Sequence, residues 1–410
     1  MGVIIASREE VQEYFDSPRL NQSTGKALFN GLESFLQARA RQQDDGEQDY
    51  YSEKGHFVKG SAVDMKLTGN DGDYEAYHHI STIEKKPTDV LMAVSHKFVD
   101  MLRGNAEEME QSLSAYVADN GGDVGDYELD IVRICRDIGY QANWKDETLV
   151  KNVVPAIDEY VKDLIEADGK QVLSQEEAFL ADDIVMSLTT NENTKTYFDR
   201  ESFAKDPNLD VYYQKIIYFE YKGIECKAMI DIVIVRKDDE GNPINVLAVD
   251  IKTMSGYTLD FDKSLKIRRY DVQAAWYTLA LITEYGDIQD PNKGPVIEPF
   301  RFVVESTTHV GNPLVYQCDN SLIIMGAVGR PNLMVGGKDG GRTPFVVSRD
   351  LKGYEHFIED YLWYEENGWE MDRKMSLMDS GVLKLDWNGI MANDGNKAEP
   401  VLHKQDVEVS

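Results

Sequence analysis

The chain has 410 residues, 42% of them hydrophobic, enough for a large buried core and for two or three domains. Its 73 acidic and 43 basic residues give a formal net charge of -30, which opposes general adhesion to DNA or to anionic membrane. An enzyme that needs only a local basic patch and metal ions is not excluded by that charge.

Cys135, Cys226 and Cys318 are too few and too scattered for a disulfide scaffold, a zinc site or an iron-sulfur set, and read as reduced buried thiols. The opening residues lack the basic and apolar regions of a secretion signal, and no apolar run approaches the roughly 20 residues needed to cross a bilayer. The expectation is a cytoplasmic protein with no membrane partner.

Residues 21–40 (NQSTGKALFNGLESFLQARA) carry Leu28, Leu32, Phe35 and Leu36 at helical spacing, which predicts one amphipathic helix with Ser23 as its N-cap. QQDDGEQD at 42–49 reads as a loop, and 58–68 as a helix with Val58, Ala62, Met65 and Lys66 at three- and four-residue intervals. From about 88 to 190 the pattern is largely helical, broken by ADNGGDVGD at 118–126; a helical insertion, a subdomain and a partner surface all fit it. The texture changes at 209. LDVYYQKIIYFEYKG and IECKAMIDIVIV read as an antiparallel hairpin turning at Lys222-Gly223, and NVLAVDIKT as a mostly apolar, central third strand. RRYDVQAAWYTLALITEY at 268–285 is predicted as a long helix with Val272, Ala275, Trp276 and Leu279 on its apolar side. FRFVVES at 300–306 and PLVYQC at 313–318 are strand candidates, and 351–369 is again helical. Gly336-Gly337 and Gly340-Gly341 read as turn material, and the last fifteen residues as polar and loose. The divisions are 1–87 (N-terminal helices), 88–208 (helical insertion or subdomain), 209–320 (a catalytic core) and 321–410 (a C-terminal extension with a polar tail).

Chemistry concentrates in the strands. Asp231 is the one ionisable side chain in an increasingly apolar run. Asp250 and Lys252, two apart in a strand, project to one face while Ile251 points into the packing. Adjacent strands lie about 5 Å apart, so the hairpin can bring Asp231 beside Asp250. Two carboxylates so close in a partly dry cleft repel unless a cation holds them. Mg²⁺, or Mn²⁺, suits such oxygen ligands, and the Ile251 backbone carbonyl could add another. Lys252 then stands where an amine could position or activate a water, or neutralise charge growing on a phosphate. A structural ion pair at a strand end is the plainer alternative for these residues.

AMIDIV, AVDIKT and RRYDVQAAWY together resemble the PD-(D/E)XK nuclease superfamily, in particular its phage and RecB-like branch and the RecE-type (exonuclease VIII-like) exonucleases of prophages. The resemblance matches Asp231 and Asp250 to the metal-binding carboxylates, Lys252 to the catalytic lysine, and Gln273 with Tyr277 to the Q-x-x-x-Y helix motif. GSAVDMKL, with Gly60 and Asp64, matches the family's N-terminal G-x-x-x-H or G-x-x-x-E motif, with aspartate as a departure; His56, one turn upstream, is a second candidate. The likeness spans about 20–80 and 210–285.

It implies an α/β (α+β) fold: a central mixed sheet flanked by helices, a restriction-endonuclease-like core with a large helical insertion. It also implies Mg²⁺-dependent hydrolysis of DNA phosphodiester bonds, exonucleolytic from linear duplex ends. A homo-oligomer, a single-strand annealing partner and a bacterial host cell, if the gene is phage-borne, come with it. The alternative is a nuclease-fold protein that binds DNA ends or a partner with little or no catalysis. Lys263, Lys266, Arg268 and Arg269, just before the Gln273 helix, are the candidate contacts to the DNA backbone. Adjacent His78 and His79 point apart and do not read as joint ligands.

Overall fold

The computed structural model describes residues 2–43, 55–83, 86–287, 293–330, 333–335, 345–348, 351–370 and 373. In chain order these carry β1 (Val3–Ile5), α1 (Arg8–Asp16), α2 (Gln22–Ala27), α3 (Leu32–Gln43), α4 (Gly55–Thr68), α5 (Asp73–Tyr77), β2 (His78–Ile80), α6 (Asp89–Glu108), α7 (Leu113–Asp119), α8 (Glu128–Asp137), α9 (Asp146–Ala167), β3 (Gln171–Leu173), α10 (Gln175–Thr190) and α11 (Arg200–Lys205). Then follow β4 (Leu209–Tyr221), β5 (Ile224–Lys237), β6 (Pro243–Met254), α12 (Phe261–Arg268), α13 (Tyr270–Tyr285), β7 (Val296–Ile297), β8 (Arg301–Ser306), β9 (Leu314–Gln317), α14 (Asn320–Val328), β10 (Leu333–Val335), β11 (Phe345–Ser348) and α15 (Tyr354–Asn367).

Lys222 and Gly223, at φ 52° and 81°, make the left-handed two-residue turn that folds β5 back on β4. β5 then pairs antiparallel with β6. β6 and β8 run parallel, and the connection between them carries α12 and α13, because a parallel pair needs a crossover rather than a tight turn. The sheet order is β1-β4-β5-β6-β8-β9, with β7 beside β6. The result is a mixed α+β fold with a central mixed sheet flanked by helices.

Each face of the sheet buries its own cluster. Ile217, Ile230, Val246, Ala248 and Phe302 pack with Val272, Ala275 and Trp276 of α13 and with residues of α3 and α15. Val211, Val249, Ile251 and Val303 pack with Ala62 and Val63 of α4 and with Ile184 and Leu188 of α10. A third cluster, including Phe98, Ile131, Leu149 and Ile157, lies within α6–α9. Leu173, Ala181 and Phe203 belong with the sheet rather than with that helical layer. Cys135, Cys226 and Cys318 are free and buried in these cores.

Three expectations need correction. The single helix over 21–40 is α2, a 3-10 turn Leu28–Asn30, and α3, because Gly31 sits at φ 111° and breaks the run. Its N-cap is Asn21, whose side chain accepts the Thr24 N–H at 2.8 Å; Ser23 lies inside α2. The helix over 268–285 begins at Tyr270, since Arg269 at φ 53° separates it from α12. The loop at 42–49 apart from its first two residues, the glycine pairs at 336–341 and the polar tail fall outside the described residues, as do the side chains of His56 and Val58.

Candidate active site

The β5–β6 ladder reaches Ile232↔Val249 and stops. Asp231 and Asp250 are the next residues in that register, and beyond them the two strands are no longer paired, so the sheet splits where the carboxylates stand. The N–H of Ile251 donates to Asp231 Oδ2 at 2.7 Å. The N–H and C=O of one strand residue face the same neighbour, so the Ile251 carbonyl also looks toward β5. On the other side of β5 the ladder passes from Tyr213↔Ile232 to Lys215↔Ile230, omitting Gln214 opposite Asp231. Gln214 has φ 53°, a left-handed conformation inside a strand. The alternation of faces reverses there. Tyr213 and Ile232 belong to the α4-side core, whereas Ile217 and Ile230 belong to the α13-side core.

That reversal lets groups from both faces meet at the split. From the α13 side, Gln273 Nε2 donates to Asp250 Oδ1 at 2.8 Å and lies 3.2 Å from the Tyr277 hydroxyl, one helical turn on. Asp250, Gln273 and Tyr277 are all buried. Lys252, on the same face as Asp250, forms an ion pair with Asp250 Oδ2, and its Nζ lies 5.0 Å from the centre of the Tyr270 ring. From the other side, α4 brings Asp64. Its Oδ1 accepts from the Thr68 hydroxyl at 3.2 Å and its Oδ2 from Gln214 Nε2 at 3.4 Å. Gly60 faces β6 at close range, where a Cβ would touch Thr253 Oγ1 at 3.4 Å.

The electrostatics follow from burial and crowding. Burial pushes the Asp231 carboxyl well above the ordinary range, and Asp250 and then Asp64 push it further. Burial lifts Asp64 to about 6, against the Thr68 hydrogen bond and with help from Asp250. Asp250 is raised by burial although Lys252 and Lys26 pull the other way. Burial works against the Lys252 ammonium, yet Asp250 and then Asp231 outweigh it, so Lys252 is held protonated more firmly than a free lysine. Asp250 Oδ2 is buried without a hydrogen-bond donor of good geometry; its contact with Lys252 is ionic.

Such acids, each disfavoured as an anion and crowded at the split between β5 and β6, have the donor chemistry that suits a hard, oxygen-preferring divalent cation. Among the described residues no three His, Cys, Asp or Glu side chains form a ready-made metal cage, and the positive charge beside Asp250 comes from Lys252.

The predicted DNA-backbone residues are dispersed along α12 and its end. Lys263 and Lys266 are exposed and paired with Asp260 at 2.8 Å and Asp262 at 3.2 Å. Arg268 is exposed, and Arg269 grips buried Asp271 through two bonds of 2.9 and 2.8 Å. His78 and His79 diverge as expected, one 3.2 Å from the Tyr74 carbonyl oxygen and the other 3.0 Å from Asp163.

Sequence reasoning did not single out Gln214, Thr68 or Lys26. Lys26 of α2 reaches the Arg268 carbonyl at 3.4 Å, and burial, then the neighbouring Lys252, lower its pKa to about 8. The only signal was its place in LNQSTGKALFNG, five residues after the Asn21 cap of α2. Nothing in the strand pattern marks Gln214.

No family model matches the chain, and no curated protein matches it. Among solved structures, it is similar to a crystal structure from Eubacterium rectale of a protein named "Putative exonuclease", at 13% identity and a TM-score of 0.40, over 93% of this chain and 96% of that one. No helix among the described residues is long and apolar enough to cross a membrane.

Proposed function

We propose that this chain is a metal-dependent deoxyribonuclease that hydrolyses DNA phosphodiester bonds, acting as an exonuclease on the ends of linear duplexes in phage-type recombination or DNA processing. The observation that carries this reading is the meeting of Asp64, Asp231, Asp250 and Lys252 at one split in the sheet, where burial and mutual repulsion raise the acids' affinity for positive charge. Asp64, Asp231, Asp250 and the Ile251 carbonyl would hold Mg²⁺ or Mn²⁺. Such an ion supplies Lewis-acid polarisation of a phosphoryl oxygen and activation of an attacking water.

The chain's own groups have separate tasks. Lys252, firmly protonated, neutralises charge that grows on the phosphate, a role its raised pKa supports better than proton abstraction. Gln273 fixes the Asp250 carboxylate and the Tyr277 hydroxyl on one side; Gln214 and Thr68 fix Asp64 on the other. Lys26 and Arg268 add positive charge near the split, and Lys263 and Lys266 can exchange their exposed acid partners for phosphate, because water screens such surface pairs and leaves them weak. A RecE-type affiliation, a homo-oligomer and a single-strand annealing partner are parts of the same proposal and rest on the motif resemblance.

The second reading, DNA-end binding without cleavage, is favoured by one observation: Lys252 is already locked to Asp250. One assay separates the two. End-labelled linear duplex and covalently closed circular DNA are incubated with Mg²⁺, Mn²⁺ or EDTA. Loss of linear DNA only with a divalent ion, with circles intact, is the expected result; linear DNA bound but uncut in every condition selects the second reading.

A further inference from the structure

The two sides of the split differ in chemistry. Lys26, Lys252 and Arg269 stand on the side of α2 and α13, and the first two sense one another's charge. On the α4 side a groove of about 420 Å³ is lined by Asp64 and by residues of α1, α4, α5 and β3, together with Gln214 and Met229. That volume falls in the range of small-ligand pockets, roughly 300–1,000 Å³. The lining is not cationic. Arg8 is committed to Asp73 through its Nε at 2.6 Å and lies 5.7 Å from the centre of the Tyr77 ring. Besides Asp64 and Asp73, its polar groups are the amides of Gln12, Gln171 and Gln214, the Ser61 hydroxyl and the buried imidazole of His78. Two rings are part-exposed there, Phe15 at 49% and Tyr77 at 39%.

Phosphate recognition calls for cations; a nucleobase calls for flat apolar surface edged with donors and acceptors. Lys26 and Lys252 lie on the α13 side of the carboxylates, whereas the groove on the α4 side offers exposed rings and amides, and its cation Arg8 is already paired with Asp73. We infer that the groove is a nucleobase site: it receives one unpaired base of the strand whose phosphate lies at Asp64, with Tyr77 as its stacking surface and the glutamine amides at its edge. The inference rests on the nuclease reading, because the groove is lined by one of the proposed site carboxylates. It specifies the substrate as a strand whose nucleotide beside the reacting phosphate is unpaired. Several bases fit equally well, since stacking on a ring is tolerant of sequence.

The test uses the full chain with Ca²⁺ in place of Mg²⁺ to suppress cleavage. A duplex with a short single-stranded overhang carries 2-aminopurine in the terminal unpaired nucleotide, and a control duplex carries it well inside the paired region. Wild type is expected to change the emission of the terminal probe and not of the internal one. Tyr77→Ala, at an exposed position, is expected to weaken binding of the overhang duplex on the order of tenfold and to abolish most of the emission change. Phe15→Ala serves as a second, independent variant. DNA bound by wild type with an emission change undiminished in both variants overturns the base site and leaves the nuclease reading standing. No binding of either duplex by wild type overturns both.

Discussion

The helical layer α6–α9 and the split between β5 and β6 are built on opposite terms. In the layer, Ile131, Leu149, Ile157 and Val161 are fully enclosed by other apolar side chains, so burial and stability point the same way. At the split the chain brings three carboxylates and an ammonium together away from water, and holds a glutamine in a left-handed conformation inside a strand. Each of those features costs stability. A region that breaks local rules while its surroundings obey them is where function is to be sought, and the contrast makes the two regions separable by mutation.

The largest expected effect exploits that separation. Asp231→Asn should reduce DNA cleavage by at least about a hundredfold while leaving the melting temperature equal or higher, since burial and Asp250 already disfavour the Asp231 anion. Leu149→Ala should do the reverse, costing about 2–5 kcal/mol of stability with unchanged turnover per folded molecule. Cleavage kinetics and thermal melts on both variants are the check; a Leu149→Ala protein that stays folded yet loses turnover would erase the distinction.

Gln214→Gly comes next. Glycine accepts φ 53° without strain but offers no amide to Asp64, so kcat/KM should fall by about ten- to a hundredfold with the fold intact. Partial recovery in Gln214→Asn would tie the loss to the amide, and wild-type kinetics in the glycine variant would reduce Gln214 to a local oddity of the strand.

Asp64 gives a smaller effect with a definite sign. Its folded pKa is raised from 3.8 to about 6, so the protonated form favours the folded state and the cost of the anion is complete above that value. Metal-free Asp64→Asn should therefore melt a few degrees above wild type at pH 7.5, and the gap should close as the pH falls through 6 toward 3.8. A gap that widens on acidification would mean that burial is not what perturbs Asp64. Smallest of all is Lys263→Gln with Lys266→Gln. Both lysines already neutralise a neighbouring acid, so the log-log salt slope of DNA binding should flatten by less than the roughly two units that two full phosphate contacts would give.

Much of this geometry was open to reading from the residues. Lys222-Gly223 marks the turn, the hairpin length brings Asp231 toward Asp250, and the two-residue strand period puts Lys252 on the face of Asp250. The four-residue spacing of Gln273 and Tyr277 aligns them on α13. What escaped has physical causes. Gln214 adopts φ 53° because the pleat reverses there, and glutamine has no intrinsic preference that announces it. Arg269 ends α12 in a left-handed turn while gripping Asp271, a tertiary choice that the helical pattern of 268–285 conceals. Lys26 approaches Lys252 only after α2 docks on α13. The groove beside Asp64 is assembled from α1, α4, α5, β3 and β4, whose residues lie far apart in the chain.

The central claim is that the crowded carboxylates exist to hold a divalent ion. Calorimetric titration of Mn²⁺ or Mg²⁺ into wild type and into Asp250→Ala, with no DNA present, addresses it most directly. Wild type is expected to give a saturable heat that is lost or weakened at least about tenfold in the variant, at unchanged fold by circular dichroism. Equal binding to both proteins would contradict it.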